Sequence, residues 1–153
     1  MDEIGTVSLR PMTEAELAAF TAEQFEVYRA ARVSAGETES VAREIAEAQF
    51  AEFPAPGHRV HAVVDGDVRV GSLWLGPGST PRTGLEWIYF VLVEEAVRGR
   101  GYGRAVMGLA EEDARAHGAV ELTLNVFGDN TTAQALYRST GYEVRSLQMA
   151  KKL

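Results

Sequence analysis

The sequence predicts one mixed α/β domain that spans residues 1–153. Three observations support this fold class. The length of 153 residues is typical of a single domain. The hydrophobic share of 46% and the charged share of 24% are those of an ordinary globular protein. Apolar residues recur first at helical spacing, then at period two, and then in alternating blocks of both kinds, which predicts helices packed on a sheet.

The first third of the chain is predicted to form a short strand and two helices. TVSLRPM alternates as a strand does. Thr13 and Glu16 form a Thr-x-x-Glu capping box, which places the start of the first helix near Glu14. A second helix is expected from about Ser40 to Phe53, because the prolines of the following PAPG segment prevent its continuation.

The middle of the chain is predicted to form three strands. RVHAVV and VRVGSLWL alternate on either side of an Asp-Gly turn, which is a hairpin signal. LEWIYFVLV is almost uniformly apolar, and such a strand is expected to be central and covered on both faces.

The last third begins with a helix over about Arg104 to His117, with Gly118 as its C-cap. VELTLNV is predicted to be a strand, and TTAQALYRST a helix closed by Gly141. YEVRSLQMA, Tyr142 to Ala150, is predicted to be the last strand. The complete predicted order is therefore β-α-α-β-β-β-α-β-α-β.

Composition excludes several classes of function. The net charge is −7, whereas nucleic-acid-binding domains are usually basic, so no nucleic-acid partner is expected. Cysteine is absent, which removes disulfides, thiol nucleophiles and cysteine metal sites. The three histidines form no HExxH motif, and no metal is expected. There is no long apolar run and no apolar signal segment, so no membrane partner is expected and the cytoplasm is the default location.

A glycine-rich, basic segment precedes the helix that follows LEWIYFVLV. Gly99, Gly101 and Gly103 permit positive φ values and a close approach of the backbone to a ligand. The following helix N-terminus offers unpaired N–H groups and about half a positive charge, which together suit a phosphate. The alternative is a strand-to-helix turn that binds nothing. The basic side chains of the segment are those of Arg98, Arg100 and Arg104.

Two motifs resemble those of the GNAT superfamily of N-acetyltransferases. That family has Arg/Gln-x-x-Gly-x-Gly/Ala after its fourth strand, which Arg98, Gly101 and Gly103 match. It also has Asn-x-x-Ala-x-x-Leu-Tyr-x-x-x-Gly-Phe/Tyr after its fifth strand. The order and separation of the motifs agree, and the ending SLQMAKKL is similar to a branch of small, uncharacterised bacterial members. The residues that match the second motif are Asn130, Ala133, Leu136, Tyr137, Gly141 and Tyr142.

The resemblance implies a fold and a cosubstrate. The fold is a mixed, mostly antiparallel sheet that splays between its fourth and fifth strands and is flanked by about four helices. The cosubstrate is acetyl-CoA. Its pyrophosphate is expected on the backbone N–H groups of Gly99, Arg100, Gly101, Tyr102, Gly103 and Arg104, with the Arg98 side chain nearby.

The resemblance also implies how the rest of the cosubstrate is held. Strand backbone at Val91, Leu92 and Val93 is expected to pair with the pantetheine arm, and an N–H near Leu92 or Val93 to polarise the acetyl carbonyl. Asn130 is expected to hydrogen-bond the pantetheine, and Tyr137 to donate a proton to the leaving thiolate. The simpler alternatives are a helix N-cap for Asn130 and a core tyrosine for Tyr137.

The proton acceptor for an attacking amine is matched less well. An alkylammonium has a pKa of about 10.4, so a base assists at neutral pH. In the branch that acetylates protein N-termini, a glutamate stands where this chain has Asn125. Glu86, at the start of the fourth strand, is the candidate base, and the alternatives are a solvated strand-edge glutamate and water as the acceptor. Relatives often have an aspartate where this chain has Phe90.

The acceptor site is expected between the first two helices, the loop from Gly76 to Gly84 and the last strands. The acidic net charge favours a cationic amine, although a solvated surface explains the charge equally well. The candidate lining residues are aromatic, and each is more often core than pocket: Phe25, Tyr28, Phe53, Trp74, Trp87 and Tyr89.

These observations predict acetyl transfer from acetyl-CoA to the primary amine of an unidentified small molecule or peptide. Direct attack within a ternary complex is expected, because there is no cysteine for a covalent acyl-enzyme. The alternatives are a non-catalytic acyl-CoA-binding sensor and an interaction domain whose glycine segment binds nothing. Since dimers are common among relatives, a homodimer that pairs through Tyr142 to Ala150 is a further expectation.

Overall fold

The computed structural model describes residues 3–80 and 82–153. Within them the chain forms five strands, four α-helices and one short 3₁₀ helix. The strands are β1 (Val7–Pro11), β2 (Arg59–Asp65), β3 (Val68–Gly76), β4 (Leu85–Val93) and β5 (Glu121–Leu124). The helices are α1 (Glu14–Ser34), α2 (Glu39–Phe50), α3 (Tyr102–Ala116) and α4 (Thr131–Ser139), with the 3₁₀ helix at Glu95–Val97.

The strands form one sheet in the order β1-β2-β3-β4-β5. Neighbours from β1 to β4 pair antiparallel, and β4 and β5 pair in parallel. A parallel pair needs a crossover connection, which α3 supplies. The predicted mixed, mostly antiparallel sheet with four helices is therefore confirmed.

Helix α3 packs on one face of the sheet. Val106, Met107 and Ala110 of this helix are fully buried in a cluster that includes Leu73 and Leu75 of β3. Full burial of an aliphatic side chain of this size contributes about 1.5–3 kcal/mol. This cluster fixes the N-terminus of α3 relative to the end of β4.

Helix α1 covers the opposite face, and α2 packs against α1. The ring of Phe20 on α1 lies 6.3 Å from that of Trp74 on β3 and 5.3 Å from that of Phe90 on β4. Phe53, just beyond α2, packs edge-on against Trp74 at 4.9 Å. Aromatic pairs in such geometries add about 0.5–1.5 kcal/mol beyond the burial of their area. Helix α1 is thereby held over β3 and β4, where the candidate site lies.

The helix boundaries follow local rules. The capping box is confirmed, since Thr13 Oγ1 accepts from the Glu16 N–H at 3.2 Å and Glu16 Oε2 accepts from the Thr13 N–H at 2.9 Å. Helix α2 ends at Phe50 rather than at Phe53. Phe53 precedes Pro54, and a residue before proline disfavours the helical conformation. Within the described ranges, no helix combines the length and the apolar composition needed to cross a bilayer.

The prediction that LEWIYFVLV is a central strand covered on both faces is confirmed in part. β4 is an interior strand between β3 and the short β5, with α3 on one face and Phe20 of α1 on the other. Ile88 is buried, but the neighbouring Tyr89 is 40% exposed. The apolar composition of β4 therefore reflects contacts with two helical layers over only part of its length.

The last predicted strand, Tyr142 to Ala150, is not formed. Residues 142–153 belong to no helix or strand. After Tyr142 their backbone makes no hydrogen bond with the described part of the chain. The segment has the apolar pattern of a strand, but no neighbouring strand in the same chain pairs with it.

Candidate active site

A gap between β4 and β5 is the first feature of the candidate site. The two strands pair only over Leu85–Ile88 and Glu121–Leu124. Beyond Ile88, β4 continues to Val93 with partners on β3 alone. The predicted splay between the fourth and fifth strands is therefore confirmed, and the side of β4 that faces away from β3 is an open edge.

The direction of the backbone N–H groups along this edge follows from one hydrogen bond. The Glu94 N–H donates to the Val70 carbonyl on β3 at 2.8 Å. N–H directions alternate along a strand, so the Leu92 N–H also points toward β3. The N–H groups of Val91 and Val93 then point into the gap. Of the two groups predicted to polarise an acetyl carbonyl, the N–H of Leu92 is thereby excluded, and Val91 joins Val93 as a candidate.

A bulge in β4 determines which side chains face which helical layer. The pairing of β4 with β3 skips Tyr89, which has no partner. Such a bulge reverses the alternation of side chains along a strand. Glu86 therefore lies on the α3 face and Leu92 on the α1 face, although their spacing would place both on one face of a regular strand.

The loop between β4 and α3 has the backbone of an anion site. The φ angle is +78° at Gly99 and +96° at Gly101, a region that other residues adopt only with strain. The N–H groups of Gly99, Gly101, Gly103 and Arg104 have no acceptor within the described part of the chain. They lie at the N-terminus of α3, where the helix dipole favours negative charge. This arrangement is suited to a phosphate or pyrophosphate.

Close packing holds this loop in place. A Cβ atom at Gly103 would lie 2.9 Å from Leu136 Cδ2, so α3 and α4 pack closely here and a larger residue would have to displace the end of the Leu136 side chain. Tyr102 is buried, and its hydroxyl donates to Asp65 Oδ2 at 2.5 Å. The loop is thus anchored both to α4 and to the β2–β3 turn.

The three arginines of the loop occupy different positions. Arg98 turns back toward β4, where its Nε donates to the Val93 carbonyl at 2.9 Å on the gap side. Arg104 Nη2 donates to Ser139 Oγ at 2.9 Å and links α3 to α4. All three residues, Arg100 included, are exposed. Their positive charges surround the loop, and their contact with a bound phosphate stays a prediction.

Helix α4 carries the two polar residues of the second motif. Asn130 Oδ1 accepts from the Ala133 N–H at 3.1 Å, so its predicted role as a helix N-cap is confirmed. That bond leaves the side-chain NH₂ group of Asn130 available as a donor. Tyr137 packs against the buried cluster on the α3 face, and its hydroxyl makes no hydrogen bond to the described residues.

Two neighbouring tyrosines have different hydroxyl environments. The ring centroids of Tyr137 and Tyr142 are 6.0 Å apart. Burial raises the pKa of Tyr137 above its usual value and raises the pKa of Tyr142 to about 12. The Tyr142 hydroxyl is buried without a partner, whereas the Tyr137 hydroxyl is not fully buried. Tyr137 is therefore a neutral phenol at neutral pH with a proton available to donate.

Glu86, the predicted base, belongs to an ion-pair network on the α3 face. Arg59 on β2 donates to its carboxylate through Nη1 at 3.1 Å and Nη2 at 2.5 Å. Arg59 Nε also donates to Asp113 on α3 at 2.8 Å. The Glu86 side chain is only 12% exposed. Its carboxylate thus joins β2, β4 and α3, and in the described chain no three His, Asp or Glu side chains are grouped to hold a metal ion.

A cavity of about 240 Å³ lies on the opposite face, between α1 and the end of β4. Its acidic residue Glu16 is already paired with Arg10 and Arg69. Glu23 and Glu94 have no ion pair or side-chain hydrogen bond with the described residues. The cavity is lined by Glu16, Ala19, Phe20, Glu23, Arg69, Ser72, Phe90, Leu92 and Glu94.

Sequence analysis missed Glu94 as a candidate functional residue. Glu94 stands two residues after Leu92, at the end of the strand predicted to border the acetyl group. Period-two alternation therefore places the two residues on one face, which is the signal that could have identified Glu94. The bulge at Tyr89 has no clear sequence signal, so the opposite placement of Glu86 was not predictable.

The aromatic residues predicted to line an acceptor pocket mostly pack on one another. Trp74 donates its indole N–H to His58 Nδ1 at 3.0 Å, and its ring stacks on that of Tyr89 at 4.9 Å. Phe25 and Phe53 lie in a separate open groove between α1 and α2. None of these residues lines the cavity that contains Glu94.

Comparison with known proteins identifies the family of the chain. A model of the acetyltransferase (GNAT) family matches residues 17–142. The uncharacterized N-acetyltransferase YdgE of Bacillus subtilis (strain 168) is 31% identical over 153 residues, which cover 95% of this chain and 98% of YdgE. The mycothiol acetyltransferase of Corynebacterium glutamicum (strain R) is 40% identical over 80 residues, which cover 52% of this chain and 26% of that protein.

Solved structures share the fold. The crystal structure of YycN, a putative acetyltransferase from Bacillus subtilis, superposes with a TM-score of 0.78 at 27% identity and covers 97% of this chain and 99% of YycN. AAC(6')-Iy was solved in complex with the bisubstrate analogue CoA-S-monomethyl-acetylneamine. It superposes with a TM-score of 0.60 at 14% identity, and the match covers 97% of this chain and 100% of AAC(6')-Iy. At this identity the match shows only that the fold is shared. The family model, the relatives and the shared fold together show that the chain belongs to the GNAT family of acetyltransferases.

Proposed function

We propose that this acetyltransferase transfers an acetyl group from acetyl-CoA to the primary amine of an acceptor bound in the cavity beside Glu94. The observation that carries the proposal is the order of features along the chain. The open edge of β4 at Val91 and Val93 leads directly into the loop, where the N–H groups of Gly99, Gly101, Gly103 and Arg104 lack acceptors in the described part of the chain. An extended thioester arm that ends in a pyrophosphate requires a strand edge followed by an anion site.

The residues present fit this cosubstrate. Backbone N–H groups from Gly99 to Arg104 bind the pyrophosphate at the N-terminus of α3, and the arginines of the loop offset the net charge of −7 locally. Val91 and Val93 pair with the pantetheine arm as with an added strand. The free NH₂ group of Asn130 donates to the same arm from α4. When bound, acetyl-CoA supplies an activated thioester carbonyl.

Two donors act on the reacting thioester. The Val91 N–H points into the gap on the side of Val93 away from the pyrophosphate loop and polarises the acetyl carbonyl, the type of contact that stabilises developing negative charge on oxygen. Tyr137 donates toward the sulfur as the carbon–sulfur bond breaks. A thiol has a pKa of about 8.5, below that of a phenol, so a hydrogen bond from Tyr137 stabilises the departing thiolate without complete proton transfer.

Glu94 is the better placed of the two carboxylates to accept the amine proton. Its side chain lines the same cavity as Leu92 and has no partner among the described residues. The Glu86 carboxylate is occupied by Arg59 on the other face of the sheet. As the new carbon–nitrogen bond forms, the amine proton passes to Glu94, directly or through water.

The cavity also favours a cationic acceptor. Glu23 and Glu94 form no ion pair with the described residues, while the charge of Arg69 is offset by Glu16 at 3.4 Å. An alkylammonium near these carboxylates gains electrostatic stabilisation before it loses its proton. Phe20 supplies an apolar wall for the carbon skeleton of the acceptor.

One observation favours a non-catalytic acyl-CoA sensor instead. Phe90 stands where relatives often have an aspartate, and its ring packs against Phe20 at 5.3 Å. A sensor retains the pyrophosphate loop and the strand edge but turns over no acceptor.

A panel of amines, assayed by the release of free coenzyme thiol, tests the proposal. Polyamines, aminoglycosides and lysine peptides are compared with neutral and anionic amines of similar size. We expect turnover with at least one cationic primary amine. Stabilisation by acetyl-CoA, about 2.7 kcal/mol at a hundred times its dissociation constant, without turnover of any amine would instead support the sensor. Absence of both binding and turnover contradicts the proposal.

A further inference from the structure

Arg69 of β3 lies in the wall of the cavity beside Glu94. Its Nη2 donates to Ser72 Oγ at 2.8 Å, and its Nε donates to the Gly71 carbonyl at 3.4 Å. Arginine has five N–H donors, so three of those of Arg69 make no hydrogen bond with the described residues. The guanidinium is therefore fixed in orientation and still has donors for a ligand.

Ser72 places this guanidinium next to the end of β4. Ser72 is 2% exposed and stands opposite Leu92 in the register of β3 with β4. Directly opposed residues of an antiparallel pair have Cβ atoms about 4.5–5.5 Å apart. Ser72 and Leu92 both line the cavity, and the Ser72 hydroxyl accepts from Arg69. Arg69 thus lies close to the part of β4 proposed to border the thioester.

The ion pairs around Arg69 leave one positive charge at the cavity. Arg10 donates to the Glu16 carboxylate through Nη1 at 2.7 Å and through Nη2 at 2.9 Å. Arg69 Nη1 lies farther from the same carboxylate, at 3.4 Å. Two guanidinium groups and one carboxylate together carry one excess positive charge. Because Arg69 lines the cavity and Arg10 does not, Glu16 offsets only part of the charge that faces a ligand.

The same cavity contains two acidic side chains without ion pairs. Glu23 lies one and two helical turns beyond Phe20 and Glu16 on the same face of α1. Neither Glu23 nor Glu94 forms an ion pair with the described residues, and Arg69 pairs with neither of them. A wall that presents charges of both signs is complementary to a ligand that carries both an ammonium group and an anionic group.

The size of the cavity limits the ligand. Its volume of about 240 Å³ is below the range of about 300–1,000 Å³ for pockets that hold drug-sized ligands. The part of the acceptor that enters is therefore small, and its charged groups are close together. A guanidinium binds a planar carboxylate through two parallel N–H···O bonds, whereas a polyamine would place a like charge beside Arg69.

We propose, on the basis of the acetyl transfer proposed above, that the acceptor is a free amino acid whose carboxylate binds Arg69 while its amine lies beside Glu94. The amine nitrogen forms a bond to the acetyl carbon, the carbon–sulfur bond breaks, and coenzyme A leaves as the thiolate. The amine proton passes to Glu94, directly or through water. Arg69 is a specificity-determining residue in this reaction, and the product is an N-acetyl amino acid.

Matched acceptors test this inference in the wild-type protein. Free amino acids, lysine and ornithine among them, are compared with their carboxamides, which keep every amine and lose the negative charge. Cadaverine, which is lysine without its carboxylate, completes the lysine series. We expect kcat/KM to be about 10- to 10²-fold higher for the best amino acid than for its carboxamide, mainly through KM, because this is the contribution of a hydrogen bond to a charged group.

Variants of Arg69 assign the preference to its guanidinium. Arg69→Gln should lower kcat/KM for the amino acid to the value for its carboxamide and leave the carboxamide unchanged. Arg69→Lys keeps the charge without the paired donors and should give an intermediate value. The control is Arg43→Gln, which removes a half-exposed arginine of α2 outside the cavity and should change neither substrate. If the Arg69 variants fail to fold, the wild-type comparison alone decides.

Three results overturn the inference. Equal kcat/KM for amino acids and carboxamides, or faster turnover of cadaverine than of lysine, shows that no carboxylate is recognised and leaves the proposed acetyl transfer standing. An equal loss for both substrates in Arg69→Gln shows that Arg69 supports the cavity without binding a carboxylate. Absence of turnover with every amine overturns both this inference and the proposed function.

Discussion

At the scale of single residues, two side chains of the same type can have different roles because their surroundings differ. Tyr137 and Tyr142 are neighbours, but only the Tyr142 hydroxyl is buried without a partner. Glu86 and Glu94 lie on the same strand or at its end, but only Glu86 is held by a guanidinium. Each pair therefore contains a candidate catalytic residue and its own internal control.

Replacing the Tyr137 hydroxyl should lower turnover and spare cosubstrate binding. A hydrogen bond to a charged group contributes about 1.5–3 kcal/mol, so Tyr137→Phe is expected to lower kcat by about 10- to 10²-fold. The shift of the thermal midpoint by acetyl-CoA should remain, because the loop and the strand edge are untouched. Tyr142→Phe removes a buried hydroxyl that has no partner, so kcat should stay unchanged and stability should not fall. Equal losses of kcat in both variants would contradict the role of Tyr137.

Substitution of the two glutamates should have different effects, on activity for Glu94 and on stability for Glu86. Glu94→Gln removes the unpaired carboxylate beside the acceptor cavity and is expected to lower kcat most strongly at low pH, where the amine holds its proton. Glu86→Gln removes one of the two carboxylates that pair with Arg59 and should cost about 1.5–3 kcal/mol of unfolding free energy while kcat changes little. Steady-state kinetics and urea unfolding on both variants give the comparison. A loss of kcat in Glu86→Gln but not in Glu94→Gln would indicate that Glu86 is the base.

At the scale of elements, the loop before α3 depends on a left-handed glycine. Gly101 has φ of +96°, and Gly101→Ala is expected to cost about 1–2 kcal/mol of stability and to weaken acetyl-CoA binding. Gly108, within α3, is the matched control, because a Cβ there would meet nothing within 4 Å. Gly108→Ala should instead stabilise the helix by about 0.5–1 kcal/mol. Thermal melts with and without acetyl-CoA measure both effects, and a Gly101→Ala variant that binds normally would refute the loop geometry.

Elements with local causes were predictable from the sequence. The capping box at Thr13 starts α1, and the glycines at positions 99 and 101 adopt the positive φ values that the sequence permits. Two features were not predictable because their causes are not local. The bulge at Tyr89 arises from the register of β4 against β3. The segment after Tyr142 has a strand's pattern without a partner in its own chain.

At the scale of the whole molecule, two partly buried histidines make stability depend on pH. Burial lowers the pKa of His61 below the value of about 6.5 of an exposed histidine. Below about pH 6.5 the unfolded chain therefore binds a proton that folded His61 does not. The contribution is complete above that pH and is lost as the pH falls toward the folded pKa. His58 has the same direction of shift from the same cause.

Unfolding free energy should consequently fall as the pH drops below about 6.5. Glu16 adds a loss only at lower pH, below its ordinary pKa of 4.5, because the hydrogen bond from Arg10 lowers its folded pKa to about 2. His61→Leu removes one titrating group and should give a shallower pH dependence in urea unfolding. An unchanged slope would show that folded His61 binds protons as readily as the unfolded chain.

The central claim is that the loop before α3 binds a pyrophosphate through its backbone in a molecule of net charge −7. A ¹⁵N NMR titration tests it most directly, with coenzyme A compared with pantetheine, which lacks the pyrophosphate. We expect coenzyme A to shift the amide signals of Gly99, Gly101 and Gly103 together with those of Val91 and Val93. Pantetheine should shift only the two valines. If the glycine amides do not respond to saturating coenzyme A, the loop is a structural turn and the proposed transfer site does not exist.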